Sequence, residues 1–288
     1  MRRLFTIVTA GTVAGLLCAG AMAGTSVAAT TRASGHVTQP GGPILRTSAA
    51  GNSGLPTISE NWSGYAATSA KRFTYVHSTF VQPKITCPGV RNQWTSNWVG
   101  LDGFADQTVE QDGTFATCGG ANSKTPAYEA WYELFPANSV NVFAVHPGDK
   151  MDIAVRFASG KFTLTVADLT SGKKVTHSAK CATCLRTSAE WIIERPALCN
   201  NAGTQCFLTE LADYHTATMG ASRAQVAGGA VSSLARFASI PIFMIDPLKA
   251  GGFISLDGVG PLASSGSAFT ATWQRSGTTT PITLGPNS

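Results

Sequence analysis

From residue 57 onward the chain sets apolar and polar positions in short alternating runs, and it almost never repeats them at the 3.6-residue spacing of a helix. Such runs at Phe73–Val81, Ser96–Leu101, Ala127–Phe135, Lys150–Ala158, Phe162–Asp168, Glu190–Glu194 and Ala268–Gln274 predict strands, because successive strand side chains point to opposite faces. Turn residues separate them, as in His146-Pro147-Gly148-Asp149 and Thr170-Ser171-Gly172-Lys173. Only Thr218–Ala235 is expected to hold a short helix, and its glycines weaken that expectation. The pattern predicts an all-β domain, a sandwich or a barrel, with no internal repeat and no second domain.

The first residues depart from this pattern. Met1-Arg2-Arg3 precedes an apolar, small-residue stretch from Leu4 to Met22, and Ala21-Met22-Ala23 fits the small-residue rule for signal cleavage. Val27-Ala28-Ala29 is a second candidate cleavage point. Residues 1–23 therefore read as a signal peptide, and glycines and threonines make the stretch a poor permanent anchor. Residues 24–57 are rich in Thr, Ser, Ala, Gly and Pro and lack acids, so they read as a flexible leader or propeptide. Residues 58–288 are expected to form one β-sandwich domain, and the product is expected to be secreted and extracellular, a monomer without a membrane anchor.

Composition and charge narrow the chemistry. The net charge of +5 owes much to Arg2, Arg3, Arg32 and Arg46, which all precede the first acid, Glu60. Taking those four from 21 basic residues leaves 17 against 16 acids, a balance near +1. No cluster of Lys and Arg with interleaved aromatics remains, which argues against nucleic acid as a partner. Of the seven cysteines, Cys18 leaves with the signal, and an even set of six in an exported chain favours disulfides. Cys199 and Cys206 flank a short Asn/Gly loop and are expected to pair. Cys87, Cys118, Cys181 and Cys184 allow three pairings, of which the two local ones, 87–118 and 181–184, are preferred. His177, Cys181 and Cys184 lack an evident fourth ligand, so no metal and no cofactor are expected.

Several familiar catalytic arrangements are missing. There is no H-E-x-x-H pair, no Gly-x-Ser-x-Gly elbow, and no Asp-Thr-Gly or Asp-Ser-Gly loop. What stands out is a set of tryptophans and acids on short strands. Alternation puts Trp98, Gly100 and Asp102 of "NWVGLDG" on one face. In "AYEAWYELFP" it puts Glu129, Trp131, Glu133 and Phe135 on one face, and Tyr128, Ala130 and Tyr132 on the other. In "SAEWIIERP" it puts Glu190, Ile192 and Glu194 together, with the two glutamates about 13 Å apart along the strand, too far for a paired dyad. Taken singly, each residue has an ordinary structural reading, a core tryptophan or a strand-end acid meeting a lysine. Asn61-Trp62-Ser63 is formally a glycosylation sequon, but its surroundings argue against occupancy.

The blocks in combination say more. "ENWSGY", "NWVGLDG", "VEQDG", "AYEAWYELFP", "AEWIIERP" and "CNNAGTQC", in this order from Trp62 onward, resemble the glutamic peptidase family, also called eqolisins. The resemblance implies an antiparallel β-sandwich of two curved sheets, of the concanavalin A-like lectin and glucanase type. It also implies an acid endopeptidase acting on polypeptides through one glutamine and one glutamate. The family's glutamine falls on Gln111 and its glutamate on Glu194, while Trp62, Trp98, Asp102, Glu129, Tyr132 and Glu133 match positions around the family's substrate cleft. The sequence departs from the pattern at Arg195, where an acid is usual, and at Glu110 and Asp112, which add charge next to Gln111. Alternation is expected to point Arg195 away from Glu194. Two rival readings share the same residues: a sandwich glycoside hydrolase with paired carboxylates such as Glu133 and Glu194, and a non-catalytic carbohydrate-binding module. Gln111 discriminates, since only the peptidase chemistry needs it.

Overall fold

A computed structural model describes residues 56–89, 93–119, 124–200 and 205–282. The expected signal segment, 1–23, and the expected leader, 24–57 apart from Pro56 and Thr57, lie outside the described residues.

The described residues are built almost wholly of strands, in two large sheets. Across the larger sheet the order is β1 (Thr57–Ser59), β17 (Ala238–Pro247), β2 (Trp62–Thr68), β11 (Ser188–Glu194), β4 (Gln93–Leu101), β5 (Val109–Thr117), β6 (Ala127–Phe135) and β7 (Val140–Ala144). Short strands β14 (Glu210–Leu211) and β18 (Phe253–Ser255) pair with β4 and β17. The second sheet runs β10 (Lys174–Ala179), β9 (Lys161–Asp168), β8 (Lys150–Ala158), β3 (Phe73–Val81), β15 (Thr216–Val226), β20 (Phe269–Trp273) and β19 (Asp257–Val259). There β16 (Ser232–Ser233) pairs with β15, and a small third sheet joins β12 (Ala197–Cys199), β13 (Cys206–Leu208) and β21 (Thr280–Ile282). Pairing is antiparallel except where β1 lies along β17 and β14 along β4.

The core lies between the sheets. Val99, Leu101, Trp191 and Ile193 from the larger sheet meet Val76, Phe80, Ile153, Val155, Leu164 and Val166 from the second. A second apolar cluster, with Trp62, Trp98, Phe115, Trp131, Ile192 and Ile242, covers the opposite face of the larger sheet. Strands β4, β5 and β11 are consequently buried along their whole length. A strand buried on both faces reads as a continuous run rather than as an alternation. For that reason β4 begins at Gln93 and β11 at Ser188, earlier than alternation alone predicts.

The expected helix within Thr218–Ala235 is not present. Its first half is the 11-residue strand β15, and only Leu234–Arg236 forms a single 3-10 turn. A register shift between Gly220 and Arg223, with Ala221 at φ 48°, interrupts the strand period. That bulge hid the alternation in the sequence.

The three disulfides are Cys87–Cys118, Cys181–Cys184 and Cys199–Cys206, the local pairings favoured by the spacing. The first ties the segment after β3 to the end of β5, the second closes the loop before β11, and the third joins β12 to β13.

Carboxyls are also buried in the protein. Asp112 of β5 points between the sheets and accepts the Thr165 N–H of β9 at 2.5 Å. Asp257 of β19 accepts hydrogen bonds from Ser63 and from the Tyr214 hydroxyl, the latter at 2.8 Å. Burial pushes the Asp112 carboxyl well up, and it raises Asp257 from 3.8 to about 6 against the pull of its donors. A folded state that holds protons more tightly than the unfolded chain is favoured at low pH. The contribution of Asp257 is complete below about pH 4 and is lost as pH rises through about 6, on the order of 3 kcal/mol. Calorimetry should therefore show Tm falling from pH 4 to pH 7, with a shallower fall in Asp257→Asn. A Tm that is flat or rises over this range would contradict the burial argument.

Candidate active site

Strand register assembles the outer face of the larger sheet in rows. One row sets Trp62 of β2, Glu194 of β11, Ser96 of β4, Phe115 of β5 and Glu129 of β6 side by side. The next holds Ile192, Trp98, Gly113 and Trp131, and the one after it Glu190, Gly100, Gln111 and Glu133. Side chains two residues apart share a face, so Trp62, Trp98, Gln111, Glu129, Glu133, Glu190 and Glu194 all lie on it. Glycine makes room at the centre: a Cβ on Gly113 would stand 2.6 Å from Trp98 Cβ, and one on Gly100 2.9 Å from the Trp98 ring.

Glu194 is fully buried and is held on both oxygens. Trp98 Nε1–H donates to its Oε2 at 2.8 Å, and the Asn61 amide donates to its Oε1 at 3.3 Å. The Trp62 ring meets Trp98 edge-on, with centroids 4.9 Å apart. Asn61 is set in turn by the tight corner between β1 and β2. Its Oδ1 accepts from Ser59 Oγ at 2.9 Å, and that hydroxyl accepts the N–H groups of Asn61 and Trp62.

Arg195, next to Glu194 in sequence, points to the other side, as alternation requires. Its side chain is wholly buried, pairs with Asp246 at 3.1 Å, and donates to the carbonyls of Glu60 and Thr278. Its backbone N–H also donates to the Asn61 carbonyl at 3.0 Å. Desolvation lowers the Arg195 pKa while Asp246 raises it. The arginine thus pins the corner that presents Asn61 to Glu194.

Two rows away, Gln111 Nε2 donates to Glu133 Oε2 at 2.7 Å. Burial first, and then the charge of Glu194, push Glu133 well above the usual carboxylate range, against the pull of the Gln111 hydrogen bond. Glu133 therefore keeps its proton at acid pH beside an uncharged amide. The indole N–H groups of Trp62 and Trp131 are buried without a hydrogen-bond partner among the described residues. Both are donors on this face.

The nominated residues do not all converge. Tyr132 lies on the opposite face, stacked on His177 of β10 at 4.4 Å. Asp102 leaves the row because β4 ends at Leu101, and at φ 74° it turns away from the face. Its oxygens accept the backbone N–H groups of Arg186 and Thr187, each at 2.6 Å, at the entry to β11. Burial and the neighbouring Asp106 raise it to about 6, opposed by those N–H donors. Glu110 and Asp112 flank Gln111 in sequence but face the other way, so their charge is not beside its amide. Asn61, Ser59 and the Arg195–Asp246 pair were not singled out for this role from sequence. The only available signal was the polar pair before Trp62 in "ENWSGY".

Comparison with known proteins fits this arrangement. A family model described as the Peptidase A4 family matches residues 60–242. Scytalidopepsin B of Scytalidium lignicola is 29% identical over 167 residues, which span 56% of this chain and 61% of that relative. Scytalido-glutamic peptidase, crystallised with a peptide-based transition state analog, superposes with a TM-score of 0.62 at 23% identity over 75% of this chain and 98% of its own. SCP-B, described as a member of the eqolisin family in complex with the tripeptide Ala-Ile-His, gives 0.60 at 23% identity over the same shares. These two solved structures share the β-sandwich fold.

Removing one partner of a buried ion pair strands the other. Arg195→Met is expected to lower unfolding stability in urea by about 3–5 kcal/mol, and Arg195→Met with Asp246→Leu to recover part of the loss. A single variant as stable as the parent would remove the pair from its anchoring role.

Proposed function

The chain belongs to the Peptidase A4 family, and from that premise we propose that it is a secreted acid endopeptidase whose hydrolytic pair is Glu194 and Gln111. The observation that carries the reading is their common face: an anchored glutamate and a glutamine amide, among tryptophan rings, in one buried layer.

Hydrolysis of a peptide bond needs a base for water, a donor for the oxyanion and a proton for the departing nitrogen. Glu194, oriented by Trp98 and Asn61, takes the water proton and returns it to the nitrogen. The Gln111 amide has two N–H donors; Glu133 accepts one and sets the plane of the amide, and the other serves the developing oxyanion. Protonated Glu133 adds no negative charge at that point. As pH rises and Glu133 ionises, a second anion appears beside Gln111 and opposes the oxyanion. The falling limb of activity is then the loss of the Glu133 proton, which gives an acid optimum. The indole N–H groups of Trp62 and Trp131 suit the carbonyl oxygens of an extended substrate.

Assays on denatured casein from acid to neutral pH test this reading. Glu194→Gln should abolish turnover, and Gln111→Ala should lower kcat by about 10²–10³. Full activity of Gln111→Ala on its best substrate would refute the mechanism. Glu133→Gln keeps an acceptor for the amide but cannot ionise, so its falling limb should move to higher pH. Asn61→Ala should reduce kcat roughly tenfold with little change in KM, because a positioning bond is lost.

A further inference from the structure

The loop between β10 and β11 holds Cys181-Ala182-Thr183-Cys184, the C-x-x-C spacing of disulfide oxidoreductases. Ala182 and Thr183 are exposed, the two cysteines are half-buried, and Leu185 beside them is 44% exposed. A carboxylate oxygen of Glu110, from β5, and the two sulfurs all lie within 4.8 Å of one another. Glu110 has no exposed surface, and its oxygens make no hydrogen bond of ordinary length and angle, although the Thr108 hydroxyl and the Asp102 carboxyl lie beside it. Thr183 Oγ1 stands 3.6 Å from Cys181 Sγ.

A disulfide that only staples a loop has no use for a buried acid behind it. Placing a carboxyl out of water with no well-formed hydrogen bond costs stability, and at this position Leu101 and Leu134 are the strand neighbours of Glu110. What such an acid supplies is a proton at the sulfur. We propose that Cys181–Cys184 is a thiol–disulfide exchange centre, with Glu110 as its proton carrier and a small or protein-borne dithiol as its reaction partner.

The exchange balances as follows. A thiolate of the partner attacks Cys184 Sγ, the Cys181–Cys184 bond breaks, and a mixed disulfide forms. Cys181 leaves as a thiolate, steadied by the Thr183 hydroxyl, and takes the proton held by Glu110. The partner's second thiolate then attacks the mixed disulfide and departs with the first as a disulfide, and Cys184 is protonated from solvent. Two electrons pass from the dithiol to the cysteine pair. In the reverse direction Glu110 accepts the Cys181 proton and the chain oxidises a dithiol.

The charges around Glu110 suit a proton carrier. Asp102 and Asp106, from the loop after β4, and Glu190 of β11 are its acidic neighbours, and Arg186 is the nearby cation. Burial and the Asp102 and Asp106 charges hold Glu110 well above the usual carboxylate range. Burial thus favours the protonated carboxyl beside the two sulfurs.

The test uses the purified exported chain in mixtures of reduced and oxidised dithiothreitol at pH 6 to 8. Thiols are trapped by alkylation and located by mass spectrometry. Cys181–Cys184 should open at least tenfold faster than the other two disulfides and should close again with no change in near-ultraviolet circular dichroism. Glu110→Gln, which keeps the shape, should slow opening roughly tenfold once rates are corrected for the thiolate fraction of dithiothreitol, and Thr183→Val should slow it several-fold. Simultaneous opening of all three disulfides would overturn the proposal. So would an unchanged rate in Glu110→Gln and Thr183→Val, since exposure alone would then explain selective opening. None of these outcomes depends on peptidase activity.

Discussion

The protein depends on a strand that is hydrogen-bonded on both edges and buried on both faces. β11 lies between β2 and β4, with Trp191 and Ile193 in the inter-sheet core and Ile192 in the aromatic layer outside. In such a position every polar side chain must find a partner or keep a proton. Glu194 finds Trp98 and Asn61, and Arg195 finds Asp246 and two carbonyls. The residue and its neighbour in sequence are therefore anchored on opposite sides of one sheet. The Asn61 corner joins them, because its amide reaches Glu194 while its carbonyl accepts the Arg195 N–H.

The same dryness sets the pH character of the molecule. Asp102, Glu110, Asp112, Glu133, Glu190 and Asp257 are all shifted upward, in each case first by burial. They occupy three regions: the inter-sheet core, the outer face beside Gln111, and the entry to β11. A fold that takes up protons in all three is most stable in acid, where the proposed chemistry also works best. Stability and the proposed activity share one cause, the removal of carboxyls from water by tryptophans and β-branched residues. The cysteine pair before β11 stands against this same acidic entry, so its proposed chemistry draws on the Glu110 proton rather than on the proposed Glu194–Gln111 pair.

Much of this was legible from sequence because strands alternate. The boundaries of β3, β6 and β8 follow from the run of side chains alone, and Glu190, Ile192 and Glu194 fall on one face as expected. The Cys199–Cys206 bridge follows from its short spacing, and the pairing preferred among the three open to the other four cysteines is the one found. Alternation failed where the backbone left the regular strand. Asp102 lies one residue beyond β4 at positive φ, and the bulge at Ala221 disguised β15 as a candidate helix. Tyr132 is the reverse case: alternation had already set it opposite Glu129 and Glu133, and the structure finds it there against His177.

The sequence by itself determined which side of its own strand each residue occupies, because that depends only on a period of two. It also carried the family resemblance, because the order of the blocks survives folding unchanged. It did not determine which strands are neighbours, since pairing is set by hydrogen bonds between segments far apart in the chain. Register decided that Gln111 meets Glu133 while Glu194 meets Trp98 and Asn61. Packing decided that Arg195 is neutralised by Asp246, 51 residues away. Only the tertiary structure brings Glu110 of β5 to Cys181 and Cys184, because the energy of a buried acid depends on what surrounds it in space.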